Sequence, residues 1–413
     1  MNNQKSVKIF TEISSCRVCD SRDLNNVLDL DDQPPANSLR EELEDVLISV
    51  PLKLVHCANC FTVQLTATVE PDYLFSHYVW VTATSATARS YSEIFCSEVL
   101  KRTKQSLPFV VEIASNDGTF LKKFQDRECT VLGIDPAQNI AKKAADNGIP
   151  TIADFFNVDI ARKILKDHGH PSVVMARNVI PHVKEIHSIV EGLSELIDSS
   201  GIVAIELHYA KKIIEELHYD SIYHEHLFYF SIKSIEGLFE KYGLYSYDVF
   251  SSPISGGSLV IFFSKNKIKK TEDLERMTKS EDELRLNTLS KWQEFGEKSI
   301  VHSKNLKEIV DKYASKGALV AYGASARSST MMNFSGITNY QINYVIDKNP
   351  LKQGLYTPGT DIPIVSYEDG IKDLSEKNIL LLAWNFEKEV VHDLRSSGFK
   401  GDIIVPLPTI HIV

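Results

Sequence analysis

The segment "LPFVVEIASNDGTFLKKF", residues 107–124, places an apolar run before a turn of small and polar residues and then an amphipathic stretch. The apolar run predicts a buried strand, and the apolar spacing from Thr119 onward predicts a helix. The segment "CTVLGIDPAQNIAKKAADNGI", residues 129–149, repeats this order. Three further strand-like runs follow at residues 150–156, 172–183 and 201–208. Strands that alternate with helices predict a parallel, doubly wound α/β sheet.

Polar residues lie where the strands of this sheet should end. Ligands bind such sheets at the carboxyl ends of the strands, where Glu112, Asp117, Asp135 and Asn178 are expected. The first turn has one glycine, Gly118, instead of the G-x-G-x-x-G that a dinucleotide pyrophosphate needs. Its acidic groups suit a cationic ligand such as S-adenosylmethionine, and Asp135 could accept hydrogen bonds from both ribose hydroxyls. The alternative is that Asp117 and Asp135 only cap helices.

Four of the six cysteines form two pairs, "CRVC" (Cys16 and Cys19) and "CANC" (Cys57 and Cys60). Two residues between cysteines let one tight turn direct both thiolates at one ion, and two such turns supply a tetrahedral zinc site. Four thiolates leave no position for water, so we expect a structural metal and not a catalytic one. The cysteines predict a zinc-binding module over residues 1–80, small enough to depend on its metal.

The rest of the chain is expected to form a central α/β unit over residues 81–268, a connector and a second α/β unit. Residues 269–306 are highly charged, with Leu, Met and Trp at helical spacing, which indicates a solvated connecting helix. The second α/β unit, residues 307–413, opens with "GALVAYGASARSSTMMNFSGI". This division into domains agrees with a length that is too great for one core.

The opening of the second unit contains a possible anion site. Small residues from Gly323 to Ser325 would let backbone amides approach a ligand at a helix N-terminus, where Arg327 adds positive charge. Asp347 ends the next strand, as a residue that faces a ribose would. The pattern is equally compatible with a nucleotide site and with a plain packing unit.

The overall charge excludes some classes of partner. Against 55 acidic residues there are 45 lysines and arginines, a net charge of -10, whereas a nucleic-acid binder needs a basic face. The N-terminal segment has no apolar core of a signal peptide, and no stretch approaches membrane-spanning length. We therefore expect a cytoplasmic protein, a monomer or small homo-oligomer, that binds neither nucleic acid nor membranes.

The stretch "YHEHLFYFS", residues 223–231, gathers proton-handling side chains. Tyr223, Glu225 and His226 could together serve as hydroxyl donor, orienting carboxylate and base. We expect His224 to be structural, because its side chain should diverge from those of its neighbours. The alternative for the whole stretch is a polar helix start followed by an aromatic core.

An ordered set of motifs resembles one family, the sugar C-methyltransferases that add a branching methyl group to nucleotide-linked deoxyketosugars. The motifs span nearly the whole chain and comprise the doubled C-x-x-C, "EIASNDGTFL", "NVIPHV", "YHEHLFYFS", "GGSL", "YGASAR", "DKNPLKQGLYTPGTDIPI" and "AWNF". The resemblance implies a small N-terminal zinc module, a central Rossmann-like class I methyltransferase domain and a C-terminal Rossmann-like domain that helps to hold the nucleotide sugar. It also implies methylation at C3 of a 4-keto-6-deoxy hexose.

The same resemblance implies functional residues. Candidate acid–base groups fall on His226, Tyr223, Glu225, His182 and Tyr78. The S-adenosylmethionine site is expected at Glu112, Ala114, Asn116, Asp117, Asp135, Pro136, Asp154, Phe155 and Asn178. The nucleotide sugar is expected at Tyr322, Gly323, Ser325, Arg327, Asp347, Lys352, Tyr356, Trp384 and Asn385.

Two motifs depart from the family pattern. The usual "HGGSL" is "SGGSL" here, with Ser255 in place of the histidine. The usual "GAPAKG" is "GASARS", with Ser325 in place of the proline and Arg327 in place of the lysine. Both departures lie where the resemblance places contacts with the nucleotide sugar.

The chemistry assigns roles within the candidate site. Methylation of carbon needs a carbanion equivalent, and a 4-keto sugar provides one because its C3 proton is acidified by the ketone. We assign His226 as the base, since a neutral imidazole titrates near working pH. Tyr223 and Tyr78 would donate hydrogen bonds to the oxyanion on O4. His182 follows the fourth strand, where the sheet presents substrate.

Two other functions remain open from the sequence. The first is an O- or N-methyltransferase that acts on a sugar or small metabolite and needs no carbon acid. The second is a non-enzymatic assembly protein with a zinc module and two degenerate α/β units. The acidic first turn and the "YHEH" cluster disfavour this second reading.

Overall fold

The computed structural model describes residues 9–75, 82–84, 86–372, 374 and 377–413. It confirms the α/β class, with an N-terminal antiparallel unit followed by two α/β units. Within the described part of the chain, no helix is long and apolar enough to cross a membrane.

The N-terminal unit is built from short antiparallel strands. Its elements are β1 (Phe10–Glu12), β2 (Leu24–Gln33), β3 (Val50–Cys57), β4 (Val63–Leu65), β5 (Ala67–Val69) and helix α1 (Pro71–Phe75). Strands β2, β3 and β4 form one antiparallel sheet, and β1 pairs with β5 in a second. Each C-x-x-C lies at a tight turn, one before β2 and one directly after β3.

The central unit has the alternation that the sequence predicts. Its strands are β6 (Phe109–Ile113), β7 (Thr130–Ile134), β8 (Thr151–Ile152), β9 (Val173–Arg177), β10 (Ile202–His208), β11 (Phe228–Tyr229), β12 (Tyr245–Ser252) and β13 (Ser258–Ser264). Its helices are α2 (Ala86–Leu100), α3 (Thr119–Gln125), α4 (Gln138–Asp146), α5 (Val158–His168), α6 (Ile186–Leu196), α7 (Ala210–Glu215) and α8 (Ile232–Glu240). Short 3₁₀ turns span Thr82–Thr84, Ile180–His182, Tyr219–Ser221 and Ile254–Gly256.

Seven of these strands form one sheet in the order β12-β13-β10-β9-β6-β7-β8. Strands β6 to β10 are parallel, as predicted, while β13 runs antiparallel to β10 and β12 antiparallel to β13. The sequence analysis did not identify β12 and β13 as strands. They carry nearly continuous buried side chains and complete the sheet beyond β10.

Strand β11 belongs to a different sheet from its neighbours in sequence. It pairs with β4, with Phe228 opposite Gln64 and Tyr229 opposite Val63. The backbone of Leu227 also donates to Pro181 O at 2.8 Å. The segment "YHEH" is thereby fixed between the N-terminal sheet and the 3₁₀ turn that follows β9.

The C-terminal unit is a second, mostly parallel sheet. Its strands are β14 (Leu319–Tyr322), β15 (Val345–Ile346), β16 (Ile364–Val365), β17 (Asn378–Leu381), β18 (Ile403–Val405) and β19 (His411–Ile412), in the order β16-β15-β14-β17-β18-β19. Only β19 is antiparallel to its neighbour among these described strands. Its helices are α11 (Ala326–Ser335), α12 (Tyr367–Lys372) and α13 (Glu387–Ser396), with a 3₁₀ turn at Trp384–Phe386. Two connecting helices precede this unit.

The two connecting helices are α9 (Glu272–Leu284) and α10 (Leu289–Ala314), so α10 continues beyond residue 306. It is not simply a solvated connector, because Trp292 and Phe295 are buried in a core shared with the N-terminal sheet and the C-terminal unit. A Cβ on Gly296 would lie 2.3 Å from Val27 O, so this close packing of helix on strand requires glycine. The helix therefore joins the first and last units through apolar contact.

Candidate active site and zinc site

The four cysteines of the two C-x-x-C turns converge. Their sulfur atoms all lie within 4.8 Å of one another, with Cys16 Sγ 3.6 Å from Cys60 Sγ and Cys19 Sγ 3.5 Å from Cys57 Sγ. Tetrahedral zinc with Zn–S bonds of about 2.3 Å separates its sulfurs by about 3.8 Å, so this cluster fits the ion. Gln64 Nε2 donates to Cys16 Sγ at 3.0 Å and orients that thiolate from outside the metal shell.

The turn after β6 has the backbone shape of a close-approach loop. Ala114 and Asn116 both have φ of 52°, and Gly118 has φ of 79°. Asn116 N donates to Asp135 Oδ2 at 2.9 Å, which connects this turn to the end of β7. Asp135 Oδ1 accepts from Ala137 N at 3.0 Å. Each carboxylate oxygen has further lone pairs, so Asp135 can still accept hydroxyl groups from a ribose.

The same turn holds the segment before α2. Asn116 Oδ1 accepts from Thr82 N at 2.9 Å, and Asp117 Oδ2 accepts from Ala83 N at 3.0 Å. Asp117 also accepts from Thr119 N and Thr119 Oγ1 at the first residue of α3, although the N-cap position of this helix is Gly118, which makes no side-chain cap hydrogen bond. These contacts do not cancel the negative charge of a carboxylate, which favours a cationic ligand at this turn.

Glu112 lies on the face of β6 that points into the protein. Its carboxylate accepts from Arg177 Nε at 2.8 Å, and Arg177 also pairs with Glu206 at 3.4 Å. Burial raises the pKa of Glu112 to about 7, and Arg177 opposes this shift. The guanidinium stacks on Phe120, 3.1 Å from the ring centroid. The structure thus places Glu112 in a buried ion-pair network beneath the first turn.

The other residues expected at the cofactor lie along the same edge of the sheet. Phe155 is 49% exposed, which is unusual for a phenylalanine and makes a flat apolar surface available beside Asp154. Asn178 has φ of 50°, and its backbone N donates to Glu206 O at 2.8 Å. Pro136 is half-buried directly after Asp135. These residues remain the predicted contacts of S-adenosylmethionine, which carries its methyl group on a cationic sulfur.

A pocket opens at the carboxyl ends of β9 and β10. Its lining residues are Asn178, Pro181, His182, His208, His226, Phe228, Tyr229 and Ser255. Three histidines and one apolar wall from β11 therefore meet in one place. The cavity is small, about 30 Å³, and the three imidazoles converge on it.

The protonation state of His226 follows from its hydrogen bonds. Its Nδ1 lies 3.0 Å from Ser221 O, which can only accept, so Nδ1 carries the proton. Its Nε2 is then a lone pair and accepts from the Tyr223 hydroxyl at 2.8 Å. Burial lowers the pKa of His226 well below its usual range, and the nearby His182 and His208 lower it further. His226 is therefore a neutral imidazole with its basic nitrogen next to a phenol.

His182 lies edge-to-face against His226, with ring centroids 4.7 Å apart. Burial lowers the pKa of His182 to about 4, and backbone groups of Glu225 and Asn178 oppose that shift. The structure thus brings together three of the candidate acid–base residues, His226, Tyr223 and His182. The fourth candidate, Glu225, lies in different surroundings.

Glu225 points toward the N-terminal unit, where its Oε1 accepts from Asn37 Nδ2 at 3.0 Å. Its other oxygen, Oε2, is buried without a hydrogen-bond partner in the described structure. Burial raises the pKa of Glu225 to about 7. His224 Nε2 lies 3.1 Å from Val50 O, as expected of a structural residue. Tyr78 lies outside the described residues.

In the C-terminal unit, the polar side chains expected at the nucleotide sugar are mostly bonded to protein. Arg327 forms a bidentate pair with the buried Asp220, at 3.0 and 2.8 Å. Trp384 Nε1 donates to the same carboxylate at 2.8 Å. Arg327 also donates to Ser255 O at 3.1 Å. This cation therefore joins the C-terminal unit to the 3₁₀ turns of the central unit.

The turn after β14 is similarly tight. Gly323 has φ of 99°, and a Cβ there would lie 2.6 Å from Ala383 Cβ. Asp347 Oδ2 accepts from Ala324 N at 2.8 Å, and Lys352 Nζ donates to Ala324 O at 2.6 Å. Of the remaining expected residues, Ser325 forms a capping box and Tyr322 is buried. Tyr356 forms a backbone bridge with Arg40, and Asn385 is exposed.

Sequence reasoning missed two histidines near the pocket. His208 ends β10 and lines the pocket, and its Nε2 lies 3.3 Å from His218 Nδ1. His218 Nε2 in turn lies 3.1 Å from Glu216 Oε2. The available signal for His208 was its position, since it ends the strand-like run "GIVAIELH" at the edge where ligands bind. His218 had no comparable signal, because only the fold brings it to His208.

Comparison with known proteins agrees with this combination of fold and sites. Three family models match in chain order: "Putative zinc binding domain" over 16–75, "Methyltransferase domain" over 87–248 and "C-methyltransferase C-terminal domain" over 253–408. Together with the sheet and the cysteine cluster, they define an S-adenosylmethionine-dependent methyltransferase that contains zinc. The C-methyltransferase NovU of Streptomyces niveus is 30% identical over 416 residues, 98% of each chain. The chain belongs to the S-adenosylmethionine-dependent C-methyltransferase family.

Solved structures with similar folds are distant. The PH0226 protein from Pyrococcus horikoshii OT3 is 16% identical, with a TM-score of 0.38 over 47% of this chain and 99% of that one. Magnesium protoporphyrin IX methyltransferase (ChlM) from Synechocystis PCC 6803 is 10% identical, with a TM-score of 0.33 over 43% of this chain and 79% of that one. These similarities are too weak to support an argument about substrate.

Proposed function

We propose that the protein methylates C3 of a nucleotide-linked 4-keto-6-deoxy sugar, with His226 as the base. The observation that carries this proposal is the neutral His226 imidazole, whose tautomer is fixed by Ser221 O and whose basic Nε2 faces the Tyr223 hydroxyl. Carbon becomes nucleophilic only after loss of a proton α to a carbonyl, so a C-methyltransferase needs such a base and a donor for the resulting oxyanion.

The hydrogen bond between Tyr223 and His226 suggests how the two roles are coupled. When a substrate ketone enters, the Tyr223 hydroxyl turns from His226 Nε2 to the ketone oxygen. This releases the imidazole lone pair, which takes the C3 proton. The electron pair of the C–H bond moves into the enolate, and its oxyanion is stabilised by Tyr223. S-adenosylmethionine, which Asp135 and Asp117 would help to hold, would supply the methyl group that bonds to the enolate carbon, and its sulfur would keep the electrons of the broken C–S bond.

The pKa of His226 lies well below the near-neutral value expected from the sequence, so its Nε2 is unprotonated at neutral pH but is a weaker base than a free imidazole. Burial makes the imidazolium costly, so the resting residue is uncharged. The same burial favours rapid loss of the proton once it has been taken up. His182, in contact with the His226 ring, would hold that ring in position and limit the space beside the substrate.

A panel of dTDP-, GDP- and CDP-linked 4-keto-6-deoxyhexoses tests the substrate. Each is incubated with enzyme and S-adenosylmethionine, and the product is analysed by mass spectrometry and NMR. We expect a gain of one methyl group on carbon. A 4-ketone acidifies both the C3 and the C5 protons, so NMR must locate the methyl group. The assignment to C3 rests on family resemblance, and a methyl group at C5 would contradict it.

Solvent exchange distinguishes this reaction from O- or N-methylation. In D₂O with S-adenosylhomocysteine, the wild-type enzyme should introduce deuterium at C3 of the sugar. An O- or N-methyltransferase needs no carbon acid and would leave this position unlabelled. Methyl transfer to oxygen or nitrogen would overturn the proposal.

A further inference from the structure

Helix α11 of the C-terminal unit contacts the short segment of the central unit that directly precedes "YHEH". This segment, residues 219–222, comprises a 3₁₀ turn and the residue after it. Arg327 forms a bidentate pair with Asp220 at 3.0 and 2.8 Å, and Thr330 Oγ1 donates to Ile222 O at 2.9 Å. Arg327 and Thr330 are three positions apart and therefore lie on one face of the helix. One face of α11 thus holds the segment at two points.

The peptide between these two points orients the candidate base. His226 Nδ1 donates to Ser221 O at 3.0 Å, which leaves the lone pair of the imidazole on Nε2. The hydroxyl of Tyr229, which also lines the pocket, donates to the same carbonyl oxygen at 3.4 Å. A shift of the Ser221 carbonyl would therefore change both the tautomer of His226 and the direction of its Nε2.

The contacts that hold this peptide are buried. Thr330 is 1% exposed, and the side chain of Asp220 is fully buried. Trp384 Nε1 donates to Asp220 Oδ2 at 2.8 Å, so the C-terminal unit supplies two different donors to one carboxylate. A buried polar group that loses its partner carries a free-energy penalty, and the segment therefore resists displacement.

Arg327 also holds a turn that lines the pocket. Its Nη1 donates to Ser255 O at 3.1 Å, and Ser255 is one of the lining residues. Ser255 has φ of 58°, a conformation that is uncommon for a residue with a side chain and persists only where the surroundings enforce it. One side chain thus restrains both the turn that orients His226 and a turn of the pocket wall.

We propose that Arg327 and Thr330 are positioning residues for His226, which they hold through the Ser221 peptide. This positioning rests on the proposed function, in which His226 is the base. Both residues act through His226 and not on the substrate. Misplacement of a reacting group by about 1 Å can lower a rate by about 10²-fold, so contacts at this remove still affect proton removal. The C-terminal unit therefore contributes to the chemical step as well as to the expected nucleotide-sugar site.

Thr330→Val tests the contact with Ile222. Valine keeps the shape and removes the hydroxyl, whereas Thr330→Ser keeps a hydroxyl and serves as the conservative variant. The matched control is Thr278→Val in α9, because the Thr278 hydroxyl also donates to a backbone carbonyl at 2.9 Å, that of Leu274 in its own helix. Two quantities are measured in each full-length variant. The first is kcat and KM for the 4-keto-6-deoxyhexose nucleotide that the wild-type enzyme methylates, and the second is the His226 tautomer from ¹⁵N NMR, assigned with His226→Asn.

We expect kcat of Thr330→Val to fall by about tenfold with KM unchanged, because the base is misplaced and the substrate contacts are kept. The His226 resonances should move from the Nδ1–H pattern toward a mixture of tautomers. Thr330→Ser and Thr278→Val should match wild type in both measurements. A wild-type kcat, or a lower kcat with the wild-type tautomer, would overturn the positioning role and leave the proposed function intact. Near wild-type activity of His226→Asn would instead overturn the proposed assignment of the base.

Arg327→Lys is an independent test that does not depend on the folding of Thr330→Val. Lysine keeps a positive charge beside Asp220 but lacks the planar fork that bonds both carboxylate oxygens. We expect the same fall in kcat and the same change of tautomer. A wild-type kcat would contradict the positioning role of Arg327, and a rise in KM alone would make it a ligand residue of the nucleotide sugar instead.

Discussion

The central and C-terminal units use the same backbone arrangement at their first strand. In each, a buried strand leads into a turn whose backbone donates to an aspartate at the end of the next strand, Asn116 N to Asp135 at 2.9 Å and Ala324 N to Asp347 at 2.8 Å. The difference lies in the nearby side chains. Arg327, beside the C-terminal turn, is committed to Asp220.

Around the central sheet, by contrast, imidazole rings line a pocket. Among the described residues, His226 Nε2 accepts a hydrogen bond from the Tyr223 hydroxyl, and His208 lines the same pocket. The comparison shows that a strand–turn–helix unit does not define a reactive site by itself. Reactivity depends on whether the polar groups at the strand ends are used up by the protein's own contacts.

The largest expected effect is that of His226→Asn. Asparagine roughly keeps the shape but loses the proton acceptor, so methyl transfer should fall by about 10²–10⁴-fold, while S-adenosylmethionine binding measured by calorimetry stays the same. Tyr223→Phe should lie between this variant and wild type, because it removes the oxyanion donor and keeps the base. The matched control is His224→Asn, two residues away, which should keep its activity per folded molecule. Near wild-type activity of His226→Asn would transfer the base role to another residue.

The next largest effect concerns the buried ion pair between Arg327 and Asp220. Arg327→Leu removes the cationic partner of the buried Asp220 carboxylate and leaves it the Trp384 Nε1 donor, which should cost about 3–5 kcal/mol in the free energy of unfolding. Denaturant unfolding measures this change, and the double variant Asp220→Asn/Arg327→Gln should recover part of it. As a control, Lys348→Ala breaks the exposed pair with Asp393 and should cost about 1 kcal/mol or less. Unchanged stability of Arg327→Leu with weaker nucleotide-sugar binding would make Arg327 a ligand residue.

A pH experiment addresses Glu225, a candidate that is not among the residues lining the pocket. Its pKa of about 7 in the folded protein exceeds the ordinary 4.5, so the folded state binds more protons than the unfolded state between these values. Its contribution to stability is therefore fully present below pH 4.5 and is lost as pH rises through 7, by about 3 kcal/mol at most. Glu225→Gln should remove this slope from unfolding free energies measured between pH 4.5 and 7.5. A slope equal to that of wild type would show that Glu225 ionises normally.

The smallest expected effect concerns the aspartates that accept from the two turns, Asp135 and Asp347. Asp135→Ala should weaken S-adenosylmethionine binding by about 1–3 kcal/mol, because ribose hydroxyls lose their acceptor. Asp347→Ala removes the equivalent contact in the C-terminal turn and should leave that affinity unchanged. Isothermal titration calorimetry of both variants decides the point. Equal losses in the two variants would mean that the effect is general destabilisation, and no loss in either would place the ribose elsewhere.

Local sequence predicted most of the fold and part of the site. The alternating apolar runs specified the five parallel strands, because strand burial on both faces requires continuous apolar sequence. The doubled C-x-x-C specified the zinc module, since the spacing itself determines where two thiolates can point. "YHEH" predicted proton chemistry in a segment whose His226 lines the pocket. The strands β12 and β13 were missed because their antiparallel pairing depends on partners far along the chain.

Only the tertiary structure decided how the polar residues are used. The sequence analysis assigned Arg327 and Glu112 to ligand contacts. In the structure, Arg327 pairs with Asp220 and Glu112 pairs with Arg177, and both partners are distant in sequence. The hydrogen bond between His218 and His208 exists only because the chain folds the two rings together. The physical reason is the cost of burying a polar group without a partner, which makes each assignment depend on what lies nearby in space. The sequence by itself determined which groups the protein has, and the packing determined which of them remain able to react.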